Sequence, residues 1–229
     1  SNYPGSEEAK IALQDLKSVY IDLNDINAYA SYVNSIGGNI RLEVGEQDSL
    51  TYIAAEKLFM RGDNDGARRS LVNYLQTFPE GAFSSNANFY LGSIAFAKKE
   101  FDEAVQRFKS VIASGDTKFL EESVARTAEI EYLGNDYPAA LESFKRLQIV
   151  AENPENKQAA RLGIMRCALQ TGQQKDALLA ADELLKEPKL SPELEAEARY
   201  VRAKAYIDQK QANKALADLK ELSKDTRTV

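Results

Sequence analysis

The sequence repeats itself with a period of about 37 residues, and this period constrains the fold more than any other feature. In five segments a polar turn is followed by an alanine and, four positions later, by an apolar residue. These alanines recur at nearly constant intervals: Ala67, Ala104, Ala140, Ala177 and Ala215. A weaker sixth copy ends at Ala28, slightly more than one period before Ala67. Internal periods of roughly 20–50 residues are typical of arrays in which each repeat is one supersecondary unit.

A second position recurs twelve residues before each alanine and is small or apolar: Leu16, Ala55, Gly92, Ala128, Met165 and Ala203. Two recurring positions at this separation predict two helices per repeat. Small residues let the helices approach closely, and Leu, Phe and Tyr at helical spacing fill the gaps between them. The sequence therefore predicts an all-α solenoid of about six helical hairpins, in which only neighbouring hairpins can bury each apolar stripe.

Prolines and glycines punctuate the chain in the same phase. Prolines are expected where the second helices stop: Pro79, Pro154 and Pro188. Ser191 and Pro192 predict an N-cap and a first-turn proline for the last repeat. Three glycines fall in or just before the turns within the hairpins, where a left-handed residue commonly ends the first helix: Gly62, Gly134 and Gly172. We interpret residues 37–45 as the one long connection.

With these positions in place, the chain resembles the tetratricopeptide repeat. The second repeat matches the family signature at Ala55, Ala67, Leu71 and Pro79, and the fourth at Ala128, Tyr137, Ala140 and Phe144. The third repeat matches at Leu91, Gly92, Phe101, Ala104 and Phe108. The chain departs from the family in having no Trp and a period longer than the usual roughly 34 residues. Extra residues should lengthen helices or connections.

The resemblance implies a right-handed superhelix that forms one continuous solenoid. Its expected parts are a degenerate first hairpin with a connection at 1–47 and five repeats at about 48–84, 85–120, 121–157, 158–195 and 196–229. Both ends look like places where one repeat passes to the next, so we expect the chain to belong to a longer array. Its style resembles long bacterial envelope repeat proteins, including those of Bacteroidota, which favours a periplasmic or outer-membrane-associated location over the cytoplasm.

In tetratricopeptide arrays the first helix of each hairpin lines the concave surface through three positions of the repeat. Carried over to this sequence, these positions predict the following partner contacts: Tyr52, Glu56, Phe59, Phe89, Ser93, Phe96, Glu129, Tyr132, Arg166, Tyr200 and Lys204. The same positions also contain apolar residues: Ala125, Leu162, Leu169 and Ile207. The alternative for the aromatic members, above all Phe59, Phe96 and Tyr132, is packing between helices.

The sequence offers few residues for catalysis or for binding a cofactor or metal. The sequence has no histidine, and it lacks a phosphate-binding glycine loop and an EF-hand ligand series. The single cysteine, Cys167, lies in an apolar run and is expected in the core. We therefore expect no enzyme activity, no cofactor and no metal site.

Charge and hydropathy limit the partners. The net charge of −6 gives no basic patch for nucleic acid, and no stretch is apolar enough for insertion into a membrane. The sequence predicts a scaffold that binds a protein or peptide through the concave groove as part of a larger protein. The alternative is a structural spacer or self-associating array without a peptide ligand.

Overall fold

The computed structural model describes residues 6–36, 41–115 and 118–224. Within these ranges the chain forms twelve α-helices and no β-strand, and none of these helices has the length and apolar character needed to span a bilayer. The helices fall into two compact units, Ser1–Asp116 and Thr117–Val229. Consecutive helices pair as antiparallel-type hairpins in each unit, so the predicted all-α helical-repeat solenoid class is confirmed.

The first unit contains three hairpins: α1 (Glu7–Leu23) with α2 (Ile26–Ser35), α3 (Val44–Met60) with α4 (Asn64–Thr77), and α5 (Ser84–Ala97) with α6 (Phe101–Ser114). The second unit contains three more: α7 (Leu120–Leu133) with α8 (Tyr137–Val150), α9 (Pro154–Gln170) with α10 (Gln174–Leu184), and α11 (Pro192–Asp208) with α12 (Ala212–Lys224). The residue boundaries predicted for the repeats remain a prediction.

The five anchor alanines occupy equivalent positions in successive hairpins. Each is the fourth residue of the second helix of its hairpin, and none is more than 1% exposed: Ala67, Ala104, Ala140, Ala177 and Ala215. The recurring position twelve residues earlier is also buried in these five repeats: Ala55, Gly92, Ala128, Met165 and Ala203. Small residues at these positions allow the close helix contacts that the period predicts.

A left-handed residue lies five positions before each of these alanines. Its φ angle is between 60° and 81° in all five hairpins: Gly62, Lys99, Asn135, Gly172 and Lys210. The following N–H donates to the carbonyl five residues back, as from Asp63 to Leu58, which closes a Schellman motif. Gly134 lies just before the turn with a right-handed φ of −76°, and the next residue, Asn135, takes the left-handed conformation.

Capping residues begin several helices where the sequence predicts. Ser191 accepts a hydrogen bond from the Leu194 amide, and Pro192 is the first residue of α11. Pro79 follows the end of α4, as expected. Pro154 instead begins α9, since proline has no N–H and suits the first helical position, where none is needed.

The connection predicted at residues 37–45 ends two residues earlier than expected. Helix α3 begins at Val44, so Gly45 is helical, while residues 37–40 lie outside the described part of the chain. The first hairpin packs on α3 through a core of Ile26, Tyr29 and Val33 against Leu50. Helix α1 has no fully buried residue and contributes partly buried side chains.

Cys167 lies in the core of the second unit. It is completely buried and unpaired, and burial raises the pKa of its thiol to about 11. A thiol in this environment stays protonated, which confirms the core position and argues against a nucleophilic role.

Candidate partner-binding groove

The space between the first helices α3 and α5 is filled by aromatic rings. Tyr52 is only 3% exposed and stacks on Phe83, with the ring centroids 4.4 Å apart and the planes 3° from parallel. Phe59 packs against Tyr90 at a centroid distance of 4.6 Å. Tyr52 and Phe59 belong to α3, Tyr90 belongs to α5, and Phe83 directly precedes α5. They close this gap from within the chain.

Glu56 fixes the hydroxyl groups of this ring cluster. Tyr52 and Tyr90 both donate to Glu56 Oε1, at 2.6 Å and 3.0 Å. Asn86 Nδ2 donates to the Tyr52 hydroxyl at 3.2 Å. Burial raises the pKa of Tyr52, and the hydrogen bond to the Glu56 carboxylate raises it further because it favours the protonated phenol. Glu56 is thus an acceptor built to hold two tyrosine side chains.

The predicted contacts of the third repeat are also engaged in packing. The Phe89 ring lies 6.1 Å from that of Phe108, and the Phe96 ring lies 6.0 Å from that of Phe101. The Ser93 hydroxyl donates to the Phe89 carbonyl at 2.9 Å, within its own helix. These contacts favour the packing interpretation for both aromatic residues.

An open groove lies in the second unit between α7 and α9, with α8 as its floor. Its volume is about 280 Å³. The predicted contacts Glu129, Tyr132 and Arg166 all line it, so the structure brings these three together. The remaining lining residues are Glu122, Ala125, Arg126, Leu133, Phe144, Leu147, Asn156, Ala159, Leu162 and Gly163.

The groove is open because small or polar residues stand where the first unit has rings. Ala67 and Ala140 hold the same place in the second and fourth repeats, and Ala104 and Ala177 do so at the same interval in the third and fifth. This interval therefore relates equivalent positions in both pairs of repeats. The positions equivalent to Tyr52, Phe83 and Tyr90 are Ala125, Asn156 and Gly163. The same interval makes Glu129 the equivalent of Glu56 and Tyr132 the equivalent of Phe59. The second unit thus keeps the carboxylate acceptor, Glu129, but has no ring at the positions equivalent to Tyr52, Phe83 and Tyr90.

Gly163 shapes the floor of the groove. A Cβ on this residue would lie 2.4 Å from the Phe144 ring, so only glycine allows the ring to pack directly on the α9 backbone. Phe144 also meets the Tyr132 ring edge-on, at a centroid distance of 6.4 Å. Phe144 and Tyr132 therefore form an aromatic floor and one aromatic wall, and the other residues that line the groove carry no ring.

The rim of the groove is charged and internally balanced. Arg126 lies between two carboxylates, 2.8 Å from Glu122 and 2.9 Å from Glu129. Arg166 makes a bidentate pair with Glu197, at 2.6 Å and 2.7 Å. The hydrogen bond to Glu197 raises the pKa of Arg166 despite the opposing effect of burial. Both guanidinium groups are therefore held in fixed positions.

The predicted contacts of the last repeat lie elsewhere. Tyr200 is 55% exposed on α11, and Lys204 is exposed one turn further along. Neither is among the residues that line the α7–α9 groove. Asn156, Ala159 and Gly163 do line it, and the single-repeat pattern did not single them out. Aligning the fourth and fifth repeats on the second and third would have found Asn156 and Gly163, because they stand where Phe83 and Tyr90 supply rings.

A larger cavity, of about 410 Å³, lies in the first unit between the first hairpin and α4. Its wall includes Asp25 and Asp63, whose carboxylates cap the starts of α2 and α4. These acceptors are therefore engaged in holding helix ends. Across the described ranges no cluster of three or more Asp, Glu or Cys side chains is placed to hold a metal ion.

Comparison with known proteins agrees with this geometry. Residues 54–117 match a family model described as tetratricopeptide repeat. The predicted resemblance to the tetratricopeptide repeat is thereby confirmed. A search of curated protein sequences gives no match.

Several solved structures share the fold at low sequence identity. YrrB, described as a TPR protein with an unusual peptide-binding site, aligns with a TM-score of 0.56 and 18% identity over 78% of this chain and 87% of its own. MamA aligns with a TM-score of 0.52 and 16% identity over 82% of this chain and 98% of its own. MamA from Desulfovibrio magneticus RS-1, from residue 41 to its end, gives 0.52 and 14% over the same shares.

Proposed function

We propose that this chain is a non-enzymatic protein-interaction scaffold that binds a peptide segment of a partner in the groove between α7 and α9. The observation that carries the proposal is the open space beside Glu129, Tyr132 and Arg166, at a place where the first unit fills the equivalent space with its own rings. A gap of this kind exposes apolar surface that a partner side chain can cover.

The proposed contacts have different tasks. Leu162 and Phe144 offer apolar surface for an anchor side chain of the partner. Glu129 and Arg166 offer a charged acceptor and a charged donor at the rim, where they would orient the peptide backbone. Because Tyr52, Phe59, Phe89 and Phe96 are engaged in ring contacts, the proposal assigns them to the scaffold. Tyr200 and Lys204 remain predicted contacts on α11.

Two further observations support this role over catalysis. The sequence offers no histidine, and its only cysteine is buried as a neutral thiol, so the commonest general base and nucleophile are missing. Tetratricopeptide repeats are generally interaction modules, and YrrB is a protein of this fold whose description includes a peptide-binding site.

The proposal can be tested by selecting random linear peptides displayed on phage against the chain. The affinity of the selected peptides is then measured for the chain and for Ala125→Tyr, which adds a ring at the position equivalent to Tyr52. We expect this change to weaken binding by about 30-fold or more, since it occupies the space for a central anchor. Asn156→Phe, at the position equivalent to Phe83, should act in the same way.

The matched control is Ala113→Tyr, which adds the same ring to an exposed position of α6. It should leave the affinity unchanged, and thermal unfolding should show that all three variants are folded. Peptides that bind the two groove variants as tightly as the original chain would contradict the proposal. So would a selection that yields no peptide sensitive to either change.

A second candidate, self-association, is favoured by one specific surface. Leu219 on α12 is 41% exposed, although the equivalent residues Phe108, Phe144 and Ala181 are at most 8% exposed. Leu216 on the same helix is 49% exposed. Light scattering over a range of concentrations tests this candidate: growth of the particle mass that is lost in Leu219→Glu would support it, and a constant monomer mass would refute it.

A further inference from the structure

We infer that the partner anchors in the α7–α9 groove through a tyrosine side chain whose hydroxyl group donates a hydrogen bond to Glu129. This inference rests on the proposed function, since it names the ligand chemistry of the same groove. It draws on the first unit as an internal template, because the chain there builds the tyrosine-filled form of the same helix pair.

The template shows what fits between two first helices of this chain. In the first unit Tyr52 and Tyr90 lie between α3 and α5, and both hydroxyl groups reach one oxygen of Glu56. At the equivalent positions of the second unit Ala125 has no ring, the Phe144 ring packs directly on Gly163, and Glu129 keeps the carboxylate beside the open groove. A phenol ring from a partner that lies beside Ala125 would therefore restore the Tyr52 part of an arrangement that the chain already forms elsewhere.

Glu129 has capacity for this additional bond. The contact with Arg126 Nη1 engages Oε2 at 2.9 Å. An ionised carboxylate offers about four lone-pair sites, so one cationic partner does not saturate it. Arg126 also fixes the rotamer of Glu129, which lowers the conformational entropy lost when a ligand binds. Glu129 is a positioned acceptor and would be the residue that sets specificity.

The charges around the groove disfavour an anionic anchor. Glu122 and Glu129 in the lining and Glu197 beside Arg166 supply three carboxylates against the two guanidinium groups of Arg126 and Arg166. A carboxylate brought into this setting would meet excess negative charge and would lose its hydration. Tyrosine carries no charge and offers one O–H donor, which matches the acceptor that the rim presents.

The size of the groove agrees with a single ring. Its volume of about 280 Å³ is near the lower limit of ligand pockets, which hold roughly 300–1,000 Å³. The aromatic floor formed by Phe144 and Tyr132 allows edge-to-face contacts with an incoming ring, as between Tyr52 and Tyr74 in the first unit, whose planes are 63° apart.

The test uses three synthetic peptides that are identical except for a central Tyr, Phe or Ala. Each is titrated into the isotope-labelled chain, and both the dissociation constant and the shifted backbone amide resonances are recorded. We expect the Tyr peptide to bind about 5- to 10-fold more tightly than the Phe peptide, as one hydrogen bond to a fixed acceptor provides. The Ala peptide should bind too weakly to saturate, and the shifts should fall on α7 and α9.

Glu129→Leu supplies the specificity control. It should bring the Tyr-to-Phe affinity ratio close to one while the Phe peptide still binds, a result that a loss of folding would not produce. Equal affinities of the Tyr and Phe peptides for the original chain, with shifts on α7 and α9, would overturn the tyrosine inference and leave groove binding intact. Shifts confined to other helices would contradict the groove itself and, with it, the proposed function.

Discussion

The Phe144 ring occupies the space that a Cβ of Gly163 would need, with ring atoms only 2.4 Å from the ideal Cβ position. Gly163→Ala should therefore lower the free energy of unfolding by about 1–3 kcal/mol, because the ring must leave its packed position. Denaturant unfolding measures this change. Phe144→Leu in the same chain should recover part of the loss, since the smaller side chain leaves room for the methyl group.

Gly45 provides the matched control for that substitution. It is also helical, but a Cβ there would meet nothing within 4 Å. Gly45→Ala should be neutral or should stabilise the chain by up to about 1 kcal/mol, because alanine is the better helix former. If the two alanine substitutions have the same effect, the close contact between α8 and α9 is not as described.

Substitutions at the left-handed position of each turn should change the free energy of unfolding in opposite directions, depending on whether the position holds lysine or glycine. Lys99 and Lys210 adopt φ angles of 61° and 60°, a left-handed conformation that is unfavourable for a residue with a side chain. Gly62 and Gly172 adopt the same conformation without this cost, because glycine has no Cβ. Lys99→Gly should raise the free energy of unfolding by about 0.5 kcal/mol after the greater entropy of the unfolded chain is allowed for. Gly62→Ala, in open space, should lower it by about 1 kcal/mol.

These two variants are compared by denaturant unfolding under identical conditions. Gly134→Ala is the control, because Gly134 has a right-handed φ and precedes the left-handed residue of its turn. We expect little change there. Destabilisation by Lys99→Gly would show that this turn does not share the conformation of the others.

Asp218 on α12 holds the two helices of the last hairpin together. It is 2% exposed and accepts hydrogen bonds from Arg202 at 2.6 Å and 2.8 Å and from Arg199 at 3.2 Å. Asp218→Ala removes the shared partner of these guanidinium groups, which keep Glu195 and Asp182, and should destabilise the hairpin by about 1–3 kcal/mol. Amide hydrogen exchange should become faster in α11 and α12 first.

The exposed pair of Glu221 and Lys224 on the same helix serves as the comparison. Its side chains are 49% and 69% exposed, so Glu221→Ala should change stability by less than about 0.5 kcal/mol. An equally small effect of Asp218→Ala would mean that the buried ion pairs contribute little to the last hairpin.

Alkaline pH should destabilise the ring cluster of the first unit. Burial raises the pKa of Tyr52 and of Tyr90, and the Glu56 carboxylate adds to both shifts. A raised pKa in the folded state means that stability is fully present below the unfolded value of about 10 and is lost as the pH rises above it. Urea unfolding at several pH values measures this loss.

Tyr52→Phe removes one of the titrating groups and keeps the ring. The variant should therefore lose less stability than the original chain between neutral and alkaline pH. The same slope for the original chain and Tyr52→Phe would indicate that the Tyr52 hydroxyl is solvated.

The sequence predicts the recurring parts of this fold well because they depend on local spacing. The period of the alanines placed Ala67 and Ala140 at equivalent buried positions, and the capping pattern at Ser191 gave the start of α11. It did not distinguish Gly134 from Asn135, since both residues tolerate left-handed φ and only the turn decides between them.

The candidate site was only partly predictable. Glu129, Tyr132 and Arg166 follow from their positions in the repeat and do line the groove. The burial of Tyr52 does not follow, because it depends on a ring of Phe83 contributed by the next repeat. A repeat position specifies the direction in which a side chain points, whereas the neighbouring repeat decides whether that side chain is covered.

A crystal structure of the chain with a peptide from the phage selection tests the central claim most directly. We expect a tyrosine side chain of the peptide beside Ala125, with its hydroxyl group within hydrogen-bond distance of Glu129. A peptide bound on other helices, or a gap between α7 and α9 closed by the chain's own Tyr132 and Phe144, would contradict it.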